Sequence, residues 1–300
     1  MPLHATDERT EIDGDPSGDG ARLALVLSGG GSKGALQVGL YRALAELGVR
    51  PDFVLGTSVG ALNAAFIAGG HDPDALADGW AGLSFRRLFG FNWRILFKGT
   101  SAQSLFSPGP LRRLLEDRLS ARRFEELDTK LFVVTTHMET GEACVTDEGD
   151  IVGAVITSCS IPGILPPVLA HDGIPHIDGS LADNLPVDLA FERGATHVIA
   201  MNSRTCAACA PRATNLRDVL GAAFGIAADC KLRIMEDEYR EDDRVLLLQP
   251  ELGERVPTLD FSRGRELVEQ GYAYAAPRLS EWLEARPELR ARVEAASASS

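Results

Sequence analysis

The chain has 300 residues, 30 basic and 43 acidic side chains and a net charge of −13, which disfavours a nucleic-acid binder relying on bulk positive charge. Its 45% hydrophobic and 24% charged fractions are ordinary globular values and argue against a largely disordered chain. Five cysteines are too few and too unevenly spaced for a disulfide framework, and the longest apolar stretch, 54–68, is interrupted and too short to cross a bilayer.

Residues 1–21 are acidic and rich in glycine and aspartate, without the basic-then-apolar order of a signal peptide, and read as a solvated tail. Residues 291–300 read as another, so a soluble, cytoplasmic protein with one domain over 22–290 is expected. Leu23–Leu27 (LALVL) is all apolar and stops at Ser28 and three glycines, which suits a strand buried on both faces. Residues 35–47 place Leu36, Leu40, Leu44 and Leu47 at helical spacing and end at Gly48. A second apolar run, 52–55, leads into glycine-containing sequence and a helix over 61–68. Further strands are expected at 131–135, 151–156, His197–Met201 and 245–249. Strands alternating with helices predict a three-layer α/β/α fold around a mostly parallel sheet.

One stretch breaks this rhythm. Residues 80–106 carry Arg86, Arg87, Arg94 and Lys98 and no acid, among Phe85, Leu88, Phe89, Phe91, Trp93, Ile95, Leu96 and Phe97. In an acidic chain this reads as a lid or lipid-facing segment in peripheral contact with a membrane; the plainer reading is a packed insertion with solvated arginines. An amphipathic helix is expected over 110–127, with Leu111, Leu114, Leu115 and Leu119 on one face.

Three sites could carry chemistry. Gly56-Thr57-Ser58-Val59-Gly60 matches G-x-S-x-G between a predicted strand and a predicted helix, where the turn holds a serine out and the glycines permit close backbone approach. Gly29-Gly30-Gly31-Ser32-Lys33-Gly34 also lies between strand and helix, and its uncovered N–H groups suit an anionic oxygen. It also satisfies G-x-G-x-x-G, but the acid a dinucleotide cradle needs at the end of the next strand is absent, since Asp52 opens that strand. An oxyanion hole is the preferred reading. Asp178-Gly179-Ser180 taken alone is a turn.

The six histidines end at His197, which fits poorly with a hydrolase whose catalytic histidine comes late in the chain; His176, two residues before Asp178, is a less favoured base. Cys206 and Cys209 form a lone C-x-x-C read as an ordinary loop, and Cys144, Cys159 and Cys230 as buried small side chains.

A glycine-rich G-G-G-x-[K/R]-G after the first strand, G-T-S-x-G after the second and a late D-G-x together resemble the patatin-like phospholipase family. The resemblance covers about residues 23–252, including the contexts AVITSCSIPGILPPV (154–168) and Asn184-Leu185-Pro186. It implies hydrolysis of lipid acyl esters by a serine–aspartate dyad without histidine, metal or cofactor. Ser58 would be the nucleophile, Asp178 the proton acceptor, residues 29–34 the oxyanion loop, and the substrate a phospholipid or lysophospholipid. Ser180 departs from the glycine or alanine more usual there. Phe85, Phe89, Trp93, Ile161 and Pro162 are the expected apolar wall for the acyl chain. Acyl transfer or thioester hydrolysis on the same dyad, and a non-catalytic nucleotide-binding module, are the alternatives.

Overall fold

In the computed structural model, which describes residues 20–98, 101–170, 173–203, 216–253 and 256–291, Leu23–Leu27 forms strand β1, buried along its whole length. Its alternation divides the core: Leu23, Leu25 and Leu27 pack into one helical layer, Ala24 and Val26 into the other. A strand apolar on both faces is stable only between two such layers. β1 leads through a 3-10 turn at Gly31–Gly34 into helix α1 (Ala35–Glu46), and the unit repeats as β2 (Phe53–Thr57) and α2 (Val59–Ala68). Helix α3 (Pro73–Ala81) follows, started by Asp72, whose carboxylate accepts the Ala75 N–H.

The chain then leaves the sheet. Helix α4 (Phe85–Leu88), strand β3 (Gly90–Phe91), helix α5 (Ile95–Lys98) and strand β4 (Phe106–Ser107) are all short, and β3 and β4 pair antiparallel as a separate ribbon. Trp80, the first residue of the cationic stretch, belongs instead to α3 and the core. Helix α6 (Gly109–Arg118) covers only the first half of the expected 110–127, because Leu119 turns extended and buries its side chain. Strands β5 (Lys130–His137) and β6 (Ala143–Thr146) follow, then helix α7 (Ile151–Ser158), strands β7 (Val168–Leu169) and β8 (Pro175–Asp178), and helix α8 (Val187–Glu192). Strand β9 (His197–Met201), helix α9 (Leu216–Tyr239), strand β10 (Val245–Leu248) and helix α10 (Gly264–Glu284) complete the fold.

The run 151–156 is helix, not the expected strand. Asp150 caps it by accepting the Val152 and Gly153 N–H groups, and Ile151, Val152, Val155 and Ile156 are all buried. A short, wholly apolar run has no period of its own, so the cap and the packing decide.

The main sheet runs β10-β9-β1-β2-β5-β8-β7, with β6 also paired to β5. The strands from β10 to β5 are mutually parallel, whereas β6, β7 and β8 join antiparallel at one side. Helices α1, α2 and α10 pack on one face; α8 and α9 pack on the other, giving the expected three layers. Helices α1 and α10 meet at glycine: a Cβ on Gly39 would lie 2.2 Å from Val268 O, and one on Gly271 2.2 Å from Leu36 O. Chain order departs from β1 in both directions, to β2 on one side and β9 on the other, so the loops after these strands gather at one carboxyl edge, the usual ligand crevice of an open parallel sheet.

Candidate active site

Strand β2 ends at Thr57 and α2 begins at Val59, so Ser58 makes the turn alone. Its backbone sits at φ 56° and ψ −123°, and among the described residues it is the only non-glycine with positive φ. Such a conformation survives only where its surroundings enforce it. The Ser58 N–H donates to Ser158 Oγ at 2.7 Å, and Ser158 Oγ donates to Val134 O at 2.6 Å. Thr57 Oγ1 donates to Asp183 O at 3.0 Å. The motif glycines serve close approach: a Cβ on Gly60 would lie 2.1 Å from Leu27 O, and one on Gly56 2.4 Å from Gly60 O.

Asp178 reaches Ser58 through strand register. Thr57 is paired with Val134 of β5, and the next β5 residue, Thr135, is paired with Asp178 at the end of β8. β8 therefore continues along the edge of β5 that β2 leaves after Thr57, which brings the carboxylate to Ser58 although 120 residues separate them. Ser58 Oγ donates to Asp178 Oδ2 at 2.7 Å, and the Ser180 N–H donates to Oδ1 at 2.9 Å. The backbone is fixed as well, since Asp178 N–H donates to Ser160 O at 3.0 Å and Thr136 Oγ1 donates to Asp178 O at 2.8 Å. Asp178 is wholly buried. Burial pushes its carboxyl up to about 6 against the opposing hydrogen bonds from Ser58 and Ser180.

The glycine loop abuts both residues. A Cβ on Gly29 would lie 2.3 Å from Ser180 Oγ and 3.2 Å from Ser58 Cβ. Not all of its N–H groups are available. Gly29 donates to Asn184 O and Oδ1 at 3.3 and 3.1 Å, and Ser32 donates to Thr258 O at 2.7 Å. Among the described residues the Gly30 and Gly31 N–H groups have no backbone acceptor, and Val59, first in α2, presents another unspent donor. Lys33 is buried.

A buried amide network holds this loop from behind. Gln37 Nε2 donates to Ser28 O and Ser203 Oγ at 2.7 and 2.8 Å, and its Oε1 accepts from Asn63 Nδ2 at 2.8 Å. Asn63 Nδ2 also donates to Gly34 O, and Asn63 Oδ1 accepts the Trp80 indole N–H at 3.0 Å. Asn63 thus spends both donors on the loop and on Gln37, while Gln37 spends its own on Ser28, just before the loop, and on Ser203.

An apolar cavity opens beside Ser58, lined by Val59, Leu62, Trp80, Leu88, Leu111 and Phe261 among others, with about 40 Å³ of space for water. Phe89 and Ile161 line it as expected, and Phe85 stands behind Phe89 with ring centroids 4.8 Å apart. Trp93 and Pro162 do not line it: both are exposed. Leu259 and Phe261, absent from the sequence reading, complete the wall from a segment whose Thr258 O also anchors the glycine loop. Cys159 lines the cavity too, with its thiol pushed up by burial and by the Asp178 charge. Cys230 is exposed, not buried.

His176 does not reach the serine; its Nδ1 is 2.9 Å from Thr135 Oγ1 and its ring packs edge-on against His137. The dinucleotide reading loses its acid, because Asp52 accepts the Leu23 N–H at 2.6 Å at the opposite end of the strands. Cys206, Cys209, and most of both expected tails lie outside the described residues. Among the described residues no helix is long and apolar enough to cross a membrane.

The model of the family described as patatin-like phospholipase matches residues 25–191. Patatin-like phospholipase domain-containing protein 7 of Rattus norvegicus is 30% identical over 88% of this chain and 21% of its own length. A lysophospholipase of Lodderomyces elongisporus is 25% identical over 87% of this chain and 19% of its own. The chain thus spans about a fifth of the length of these two relatives. Among solved structures, VipD from Legionella pneumophila superposes with a TM-score of 0.53 at 17% identity, over 87% of this chain and 67% of VipD, a likeness of fold.

Proposed function

Because the chain belongs to the patatin-like phospholipase family, we propose that it hydrolyses acyl esters of phospholipids or lysophospholipids, with Ser58 as nucleophile and Asp178 as its general base. The observation that carries this reading is the 2.7 Å hydrogen bond from Ser58 Oγ to the buried Asp178 carboxylate. A carboxylate near its ordinary pKa of about 3.9 is a weak base for a hydroxyl. Raised to about 6, Asp178 is better matched to that work at neutral pH. It still cannot make a free alkoxide, so proton removal accompanies attack.

In this mechanism Ser58 Oγ bonds to the ester carbonyl carbon as its proton passes to Asp178 Oδ2. The carbonyl oxygen becomes an anion facing the N–H groups of Gly30, Gly31 and Val59, each worth about 3–4 kcal/mol by analogy with single oxyanion donors. Collapse breaks the ester bond, and the leaving alcohol takes the proton from Asp178. Water then gives a proton to Asp178 and attacks the acyl-Ser58 ester, releasing a fatty acid and regenerating the serine. Leu62, Trp80, Phe89, Ile161 and Phe261 offer the acyl chain apolar wall, at about 0.8 kcal/mol per buried CH₂. The lysophospholipase activity named for one relative supports the substrate class.

The decisive experiment is labelling with a fluorophosphonate followed by mass spectrometry of the modified peptide. Modification at Ser58, lost in Ser58→Ala, is the expected result. Labelling elsewhere, or NAD-induced thermal stabilisation without labelling, would overturn the assignment.

A further inference from the structure

We propose that residues 82–97 and 101–107 form a docking surface for an anionic lipid bilayer, set so that the Ser58 cavity faces the membrane; this rests on the reading of the substrate as a lipid. Among the described residues, the exposed large aromatics are all here: Phe91 at 49%, Trp93 at 68% and Phe97 at 89%, with Leu105 at 46% beside them. A soluble surface rarely gathers such side chains without use.

Charge selects the occupant. Arg86, Arg87 and Arg94 are exposed, no carboxylate among the described residues pairs with them, and Arg87 donates instead to Gly82 O at 2.8 Å. The stretch 80–106 contains no acid in a chain of net charge −13. A second copy of this chain, meeting the patch about a twofold axis, would set these arginines against one another with no acid to pair them. A bilayer carrying anionic headgroups satisfies both features at once, since arginine meets phosphate while tryptophan and phenylalanine enter the interfacial zone.

The patch and the cavity are built from the same short elements. Leu83, Leu88 and Phe89 line the cavity, and Phe91 lies two residues further on, packed against Trp93 at 4.9 Å between ring centroids. The opposite side of the ribbon is tied to the Ile161 wall, with Leu105 and Phe106 N–H donating to Gly163 O and Ile164 O, each at 2.9 Å. A lipid drawn from the bilayer therefore meets Ser58 without crossing water.

The test uses the Ser58→Ala protein, so that vesicles are not consumed, in flotation with phosphatidylcholine vesicles with and without phosphatidylserine. Trp80 and Trp282 are buried, so a blue shift of tryptophan emission on binding reports Trp93. Expected are binding and a blue shift with the anionic vesicles, both weakened by salt. Replacing Arg86, Arg87 and Arg94 by Gln should weaken binding by roughly fivefold per arginine. Trp93→Ser with Phe97→Ser should weaken it at least tenfold, while the same pair in otherwise unaltered protein leaves turnover of a soluble short-chain nitrophenyl ester intact. Equal binding to both vesicle types, binding insensitive to these variants, or a Trp93 shift that follows protein concentration without vesicles would overturn the proposal. Vesicle binding by a protein that turns over no ester would instead count against the hydrolase reading alone.

Discussion

Beneath the cavity a buried amide pair is fully hydrogen-bonded: Gln37 and Asn63 are wholly buried and bind the glycine loop, α1 and α3 together through their amides. Above it, among the described residues, no element between Ala81 and Gly109 exceeds four residues, aromatic rings stand in solvent and Arg86, Arg87 and Arg94 lack carboxylate partners. The floor must hold a hydroxyl, a carboxylate and a few amides to within tenths of an ångström, which calls for a rigid, water-free network. On the proposed function and docking, the roof would meet a fluid surface and let a long chain past, which calls for shallow packing. Hydrogen bonding in the floor and exposed apolar area in the roof are thus opposite answers to different tasks on one cavity.

Substitutions should separate the two regions sharply. Ser58→Ala and Asp178→Asn are expected to lower kcat/KM on a soluble ester by about 10⁴-fold or more, in the range seen when a nucleophile or its base is removed, with circular dichroism unchanged. Gly31→Ala meets both φ +61° and a Cβ only 2.2 Å from Thr258 O. It should displace an oxyanion donor and cost about 10²–10³ in kcat.

Gln37→Leu leaves Ser28 O, Ser203 Oγ and an Asn63 donor without their partner. Urea unfolding should show a loss of about 2–4 kcal/mol, against less than about 0.5 kcal/mol for Phe97→Ser in the roof. Equal losses at the two sites would erase the contrast drawn above.

The smallest expected effect is in pH dependence. Asp178 must be ionised to accept the proton, so kcat/KM should fall about tenfold per unit below pH about 6 and level off above it. After Ser58, Ser180 holds that value down through its backbone N–H and, less, its hydroxyl; Ser180→Gly removes only the hydroxyl and should move the acid limb slightly upward while leaving the plateau rate nearly unchanged. For stability the sign is reversed. Burial raises both Asp178 and Asp183 to about 6 from 3.8. The folded chain therefore keeps protons the unfolded chain has released, and the contribution of these two groups, full below about pH 4, is lost as pH rises through 6. Thermal melts across that window would check it.

The sites were legible where local pattern and local structure coincide. LALVL stops at three glycines and forms the buried strand and tight turn that this stop suggests, and Gly-Thr-Ser-Val-Gly sits on the strand-to-helix corner that its glycines imply. The run 151–156 misled because an unbroken apolar run satisfies helix and strand alike, and the capping by Asp150 outweighed the resemblance to a strand. Ser158, which fixes the nucleophile's backbone, carried no signal of that role beyond lying in the quoted 154–168 context, since one serine at the end of a buried helix looks like any other. Leu259 and Phe261 were invisible for a different reason: they reach the cavity from a segment about 200 residues beyond Ser58.

The order of residues by itself determined the five parallel strands, the two glycine turns and the helices that close on them, because backbone sterics and apolar period act over a few neighbours. It also determined the cationic, aromatic character of the roof, which is composition alone. Only the tertiary structure decided that Asp178 stands level with Ser58, because that depends on β8 pairing antiparallel to β5 in one register. A slip of a single residue would turn the carboxylate to the other face of the sheet. Burial, and with it the basicity of Asp178, likewise exists only once both helical layers have closed over the sheet.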